Sequence, residues 1–198
     1  MLDLTFESTG TVTREQFTRF VRERERQGDV HHYELLNARV VMNPPAGYPH
    51  GEIGSALNEL LRRFAVSRRL GRVFDSSQGF ELPSGDVVEP DHSFVSNERW
   101  QAMGPPEEGA FLRVVPDLVV EVLSAKTASS DRGEKKAIYE RNGVREYWLF
   151  DWRSRELTAF RLDGGRFDRG TVFHESDRVA SAVLPGLGFL TRELLPPP

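Results

Sequence analysis

The sequence predicts an α/β domain, built on a curved mixed sheet with helices on its faces. Three observations carry that expectation. Pro116 to Ser124, reading PDLVVEVLS, is an apolar and β-branched run, the mark of a buried central strand. Two other stretches, around Phe17–Val21 and Ile53–Phe64, repeat their apolar residues at helical spacing. The remaining apolar segments are short and separated by Gly, Asn, Asp and Pro turns.

In chain order, Thr13 and Gln16 have the spacing of a capping box, followed by Phe17, Phe20 and Val21, so a helix is expected from about Arg14 to Arg26, ending near Gly28. Its outer face mixes arginines and glutamates and reads as solvated. His32–Leu36 and Arg39–Met42 form a predicted hairpin turning at Asn37-Ala38. Residues 43–49 are a proline-rich loop, and His50 opens a helix whose core stripe is Ile53, Ala56, Leu57, Leu60, Leu61 and Phe64. Arg62, Arg63, Arg68, Arg69 and Arg72 crowd its end. They exceed what a helix C-terminus requires and make Arg68 and Arg69 candidate phosphate contacts. Strands follow at Arg72–Phe74, Gly79–Leu82 and Val87–Val95, the last bulged or entered at Pro90, which has no amide proton for a ladder. A short helix is expected over 97–103, then a loop, then the Pro116–Ser124 strand. Ser129, Ser130 and Asp131 are candidate caps of a helix running to Arg141 and stopped by Asn142-Gly143. A strand over Val144–Asp151, a hairpin of 156–162 with 166–173, and a segment over 179–187 closing a sheet edge complete the reading.

Composition narrows the function classes. At 198 residues the chain reads as a single domain over 1–198, with a core of about 14–190. With no Cys, disulfides and thiolate metal sites are excluded, and a reducing, cytoplasmic setting is expected. No apolar run approaches the roughly 18 residues of a membrane span, and MLDLTFESTG does not read as a secretory signal. The formal net charge of −4 gives no bulk attraction to nucleic acid, so phosphate binding requires a local patch.

The chemistry is concentrated in acids placed on apolar strands. Alternation puts Asp117, Val119, Glu121 and Leu123 on one face of the central strand. A buried, unpaired carboxylate costs several kcal/mol or more, so Glu121 needs a cation, a metal or a set of donors. Thirty residues upstream stands Glu89-Pro90-Asp91. Two strands bringing Asp91 and Glu121 together suit a divalent cation bound by oxygen. Glu34 is either a solvated or salt-bridged hairpin residue or a third acid of that site. His50 caps, packs or reaches a phosphate. Asp131, Lys135 and Tyr139 fall at i, i+4 and i+8, along one helix side; Asp131 with Lys135 also suits a plain surface ion pair, and Tyr139 suits packing.

A Pro-Asp pair followed about thirty residues later by an acid inside an apolar strand is the spacing of the PD-(D/E)XK nuclease superfamily. The wider set comprises Tyr33-Glu34-Leu35, His50, Glu89-Pro90-Asp91, Pro116–Ser124, Asp131, Lys135, Tyr139, Gly143-Val144 and Tyr147-Trp148. Over about residues 14–190 it resembles the Uma-two family of that superfamily. The resemblance implies a restriction-endonuclease-like α/β (α+β) fold and a metal-dependent nuclease cutting phosphodiester bonds of nucleic acid, with DNA expected. It implies Mg²⁺ or Mn²⁺ on Asp91, Glu121 and the backbone carbonyl of Val122, joined by Glu34; His50 and Tyr139 are candidate substrate contacts beside Arg68 and Arg69, which the local arginine patch gives. The cation would neutralise developing charge and lower the pKa of bound water. The superfamily's lysine normally stands two residues after the acid, where this chain has Leu123. The resemblance gives that part to Lys135, with Lys136 about 100° round a regular helix and Lys126 as a loop alternative. Superfamily members that cut both strands often pair, so a homodimer is expected by analogy. The competing expectation is a catalytically silent nuclease fold kept for nucleic-acid binding or assembly. A hydrolase acting on a small phosphorylated substrate is a third.

Overall fold

The computed structural model describes residues 10–43 and 45–196. Helix α1 (Arg14–Arg26) starts at the expected capping box, with Thr13 Oγ1 accepting from the Gln16 amide and Gln16 Oε1 from the Thr13 amide. It buries Phe17 against a small sheet. Strands β1 (His32–Leu36) and β2 (Arg39–Asn43) form the predicted hairpin, with Asn37 and Ala38 at φ 50° and 62° as a two-residue turn of that hand demands. Helix α2 (His50–Ser67) lays Ile53, Leu57, Leu61 and Ala65 into the core. Strands β3 (Gly71–Asp75), β4 (Phe80–Glu81), β5 (Val87–Val88) and β6 (His92–Ser96) follow, then α3 (Asn97–Met103) and the central strand β7 (Leu118–Val122).

The next helix, α4, is continuous in three parts: Ala128–Ser130, a π-helical turn Asp131–Lys135, and Lys136–Arg141. Its start differs from the expectation. Thr127 precedes its first residue, Ser124 Oγ accepts from the Lys126 and Thr127 amides, and Asp131 lies buried within the helix instead of capping it. Strands β8 (Glu146–Asp151), β9 (Glu156–Asp163), β10 (Arg166–Phe167) and β11 (Thr171–Phe173) come next. The expected second arm of that hairpin is split, both pieces pairing with β9. Gly170 lies between them at φ 81°, and a Cβ there would sit 2.7 Å from the Phe160 ring.

The main sheet runs β10-β9-β8-β7-β6-β3, with β11 also on β9. Among the described residues only β7 and β8 are parallel within it, and α4 supplies the crossover that a parallel pair requires. The sheet is therefore mixed and flanked by helices, as predicted. Leu118, Val120 and Val122 face α2, whereas Val119 and Leu123 face Ile138 and Tyr139 of α4. Glu121 thus points to the α4 side.

Two further expectations do not hold. Val87–Val95 is not one strand: β5 belongs to a four-stranded sheet ordered β2-β1-β5-β4, β6 to the main sheet, and the chain crosses between them at Glu89-Pro90-Asp91. Proline, which cannot donate to a ladder, sits at the crossing. Segment 179–187 does not close an edge of the main sheet. Strand β12 (Arg178–Ala180) pairs with β13 (Gly188–Leu190) in a separate ribbon, folded back at Pro185-Gly186 and ending in a 3-10 turn, Thr191–Leu194. Val179, Leu184, Leu187, Phe189 and Leu194 cover the α2 core. One margin of the main sheet is β3, where Arg62, Arg69 and Arg72 line a shallow hollow beside Gly71 and Val73. Among the described residues no helix is long and apolar enough to cross a membrane.

Candidate active site

The pairing of β6 with β7 sets the geometry. His92 lies opposite Val120, so Asp91, one residue earlier, falls opposite Glu121. Asp91 Oδ2 accepts from the Val122 amide at 2.7 Å, and the Asp91 amide approaches Glu121 Oε2 at 3.4 Å. The two acids that the sequence singled out are therefore adjacent. From the other side α4 brings Lys135, whose Nζ lies 2.6 Å from Glu121 Oε1, 3.1 Å from Glu34 Oε1 and 3.9 Å from Asp131 Oδ1. The Tyr139 hydroxyl donates to Glu121 Oε1 at 2.8 Å. Leu123, in the usual lysine place, is buried in the core packed against α4.

Glu34 is only 1% exposed. Its Oε2 accepts from Asn43 Nδ2 at 2.7 Å and its Oε1 from the Glu89 amide at 2.9 Å. Both its oxygens are thus engaged before any metal is considered. His50 Nε2 lies 3.1 Å from Asp91 Oδ2, with about a fifth of each side chain open to solvent. The site reaches water on this side, and on the neighbouring side through His32, whose Nδ1 is 2.7 Å from Glu89 Oε2.

Charge is unevenly balanced. Burial works against the Lys135 ammonium, but Glu121, Glu34 and Asp131 outweigh it and hold its pKa well above the ordinary lysine range. Burial raises Glu121 despite Lys135, and raises Asp131 to about 6. Burial would also raise Asp91, yet His50 and the Val122 amide outweigh it and keep that carboxyl below its usual range. Burial likewise opposes the His50 imidazolium, and Asp91 overcomes this to raise its pKa. Four carboxyls thus face one ammonium and one imidazole, an excess of acid that a hard, oxygen-seeking cation would relieve. The donor set of Asp91, Glu121 and backbone oxygen at Val122 fits such an ion in chemistry.

Several expected residues lie elsewhere. Tyr139 is fully buried, so it meets Glu121 and not a substrate at the surface. Lys136 stacks on Phe160, 3.6 Å from the ring centroid, and Lys126 is exposed in the loop after β7. Arg68 stacks on Phe64, and both Arg68 and Arg69 stand at the far end of α2 from His50, roughly 27 Å away at 1.5 Å per residue. They are not part of the acid cluster. Asp117 pairs with Arg99 at 3.2 Å and Arg145 at 2.9 Å, at the opposite end of β7. Sequence reasoning gave no role to His32, Asn43 or Glu89. Strand alternation held a signal for one of them, since His32 stands two residues before Glu34 on the same face of β1.

Comparison with known proteins agrees with this fold. A crystal structure described as that of a putative nuclease belonging to DUF820, from Anabaena variabilis, superposes with a TM-score of 0.73, covering 92% of this chain and 97% of that one at 17% identity. At that identity the likeness shows the fold alone. No curated protein matches the chain. The Uma2 family, described as "Putative restriction endonuclease", matches residues 14–193. The chain belongs to the Uma2 family.

Proposed function

We propose that this protein is a metal-dependent endonuclease that hydrolyses phosphodiester bonds of DNA. The observation that carries the reading is the convergence of Asp91 and Glu121 across the β6–β7 register, with the Lys135 ammonium 2.6 Å from Glu121. Asp91, Glu121 and the Val122 carbonyl are the groups that would hold Mg²⁺ or Mn²⁺. When bound, that ion supplies Lewis-acid neutralisation of the phosphate and a bound water of lowered pKa. Lys135 is the catalytic amine. It brings a point positive charge to the non-bridging oxygen and aligns the attacking water for in-line displacement. His50 orients the Asp91 carboxylate and meets the incoming phosphate at the open side of the site. Membership of the Uma2 family supports a nuclease; an anionic phosphodiester supports the need for cations at a site rich in acids. The absence of Cys supports a cytoplasmic setting, and analogy with two-strand cutters supports a homodimer.

The test is nicking of supercoiled plasmid in the presence of Mg²⁺ or Mn²⁺, compared with Asp91→Ala and Glu121→Ala. Cleavage that needs the ion and disappears in both variants is expected. Equal cleavage by all three proteins would identify a contaminating nuclease and refute the proposal. Salt-sensitive DNA binding with no cleavage would replace it by a binding module.

A further inference from the structure

Lys135 is the least ordinary member of the cluster, because it is almost completely buried and touches more than one acid. Its Nζ lies 2.6 Å from Glu121 Oε1 and 3.1 Å from Glu34 Oε1, so it bridges the two carboxylates and keeps one contact if the other is taken. The two seats differ in what surrounds them. Glu34 is fastened by Asn43 Nδ2 at 2.7 Å and by the Glu89 amide at 2.9 Å, and is closed off from water. Glu121 lies beside Asp91, on the side that opens through His50. Among the described residues no group of three or more His, Asp or Glu is arranged to hold a metal ion. The Lys135 ammonium stands among Glu34, Glu121 and Asp131.

Resting on the metal reading above, we propose that Lys135 competes with the divalent cation for Glu121, and that Glu34 is a positioning residue that keeps the ammonium once the cation takes Glu121. Glu34 is then not a third ligand. A doubly charged ion outcompetes a singly charged one at a carboxylate that a second acid, Asp91, also supports. The displaced ammonium has no route to water, since its side chain is only 6% exposed, but Glu34 is already within reach. Loading the ion therefore shifts the amine from Glu121 to Glu34, where it stays within the cluster as its counter-charge.

The experiment is titration calorimetry of Mn²⁺ into the full chain without nucleic acid. Four proteins are compared: wild type, Asp91→Asn, Lys135→Met, and the double variant Glu34→Gln/Lys135→Met. The double variant removes one charge of each sign, so the net charge of the cluster is unchanged, and replacing a buried ion pair as a unit is commonly tolerated where breaking it is not. Lys135→Met should bind Mn²⁺ at least tenfold more tightly than wild type, and the double variant at least threefold more tightly. If Lys135→Met does not fold, as judged by circular dichroism, the double variant alone decides. A double variant that binds no more tightly than wild type overturns the proposal, as it shows Glu34 to be a ligand or Lys135 to be no competitor. Asp91→Asn should bind at least tenfold more weakly. Wild-type affinity in that variant sinks the metal site itself, a failure distinct from that of the competition.

Discussion

Replacing Tyr139 by phenylalanine removes one oxygen from a completely buried ring and leaves the packing shape unchanged. That oxygen donates to Glu121 Oε1 at 2.8 Å, while the ring itself lies 5.0 Å from that of Tyr147. Burial first, then the charge of Glu121, raises the phenol pKa well above 10, so it is a proton donor throughout the neutral range. A hydrogen bond to a charged acceptor is worth about 1.5–3 kcal/mol, about twice a neutral one. Lys135 stays in contact with the same oxygen and absorbs part of the loss, which places the expected destabilisation near the lower figure, about 1.5 kcal/mol. Urea unfolding followed by circular dichroism measures it: the midpoint should fall with the slope unchanged. A loss below about 0.5 kcal/mol, the scatter of ordinary substitutions, would refute the idea that Tyr139 secures Glu121. Its burial would then be packing alone.

Other perturbations address different parts of the molecule. His32 has a raised pKa, due first to the Glu89 carboxylate and held back by partial burial. Its contribution to stability is therefore complete below its unfolded value near 6.5 and fades as pH rises through the higher folded value. Proton NMR of the imidazole should show a midpoint above 6.5 that drops in Glu89→Gln; an unmoved midpoint would exclude the pairing as its cause. Gly170→Ala forces a side chain into a positive φ and onto Phe160, and should cost about 1–3 kcal/mol by thermal or urea unfolding, with a neutral result refuting the contact argument. If Arg68 and Arg69 touch nucleic-acid phosphates, changing both to alanine should lower the slope of log affinity against log salt by about 1.8; an unchanged slope removes them from the interface. His92 is buried, which depresses its pKa, so stability should fall as pH drops below about 6.5, a dependence that His92→Gln should flatten in the same unfolding measurement.

Much of this arrangement could be read from residue order, and the reasons for the rest are local. Strand β7 and its single acid stand out because apolar β-branched residues surround Glu121, and α2 because its stripe repeats at 3.6 residues. The adjacency of Asp91 and Glu121 depends on pairing register, which strand alternation alone does not give. The crossing at Glu89-Pro90-Asp91 has little mark in the sequence, because two apolar segments in different sheets look like one bulged strand when three residues separate them. Ser129, Ser130 and Asp131 are good caps in isolation, yet Asp131 lies buried near Lys135 inside α4. The π turn has no compositional mark at all. Arg68 and Arg69 read as phosphate contacts from local charge alone, and the length of α2 sets them apart from the acid cluster.

The margin formed by Gly71–Asp75 bears on how two copies can meet. Unpaired strand borders invite self-association, rung upon rung, into dimers or longer stacks. Here such a meeting would bring Arg62, Arg69 and Arg72 of one molecule against the same three of its twin, cation facing cation. That repulsion disfavours growth along this rim and steers any pairing of the protein toward its other surfaces.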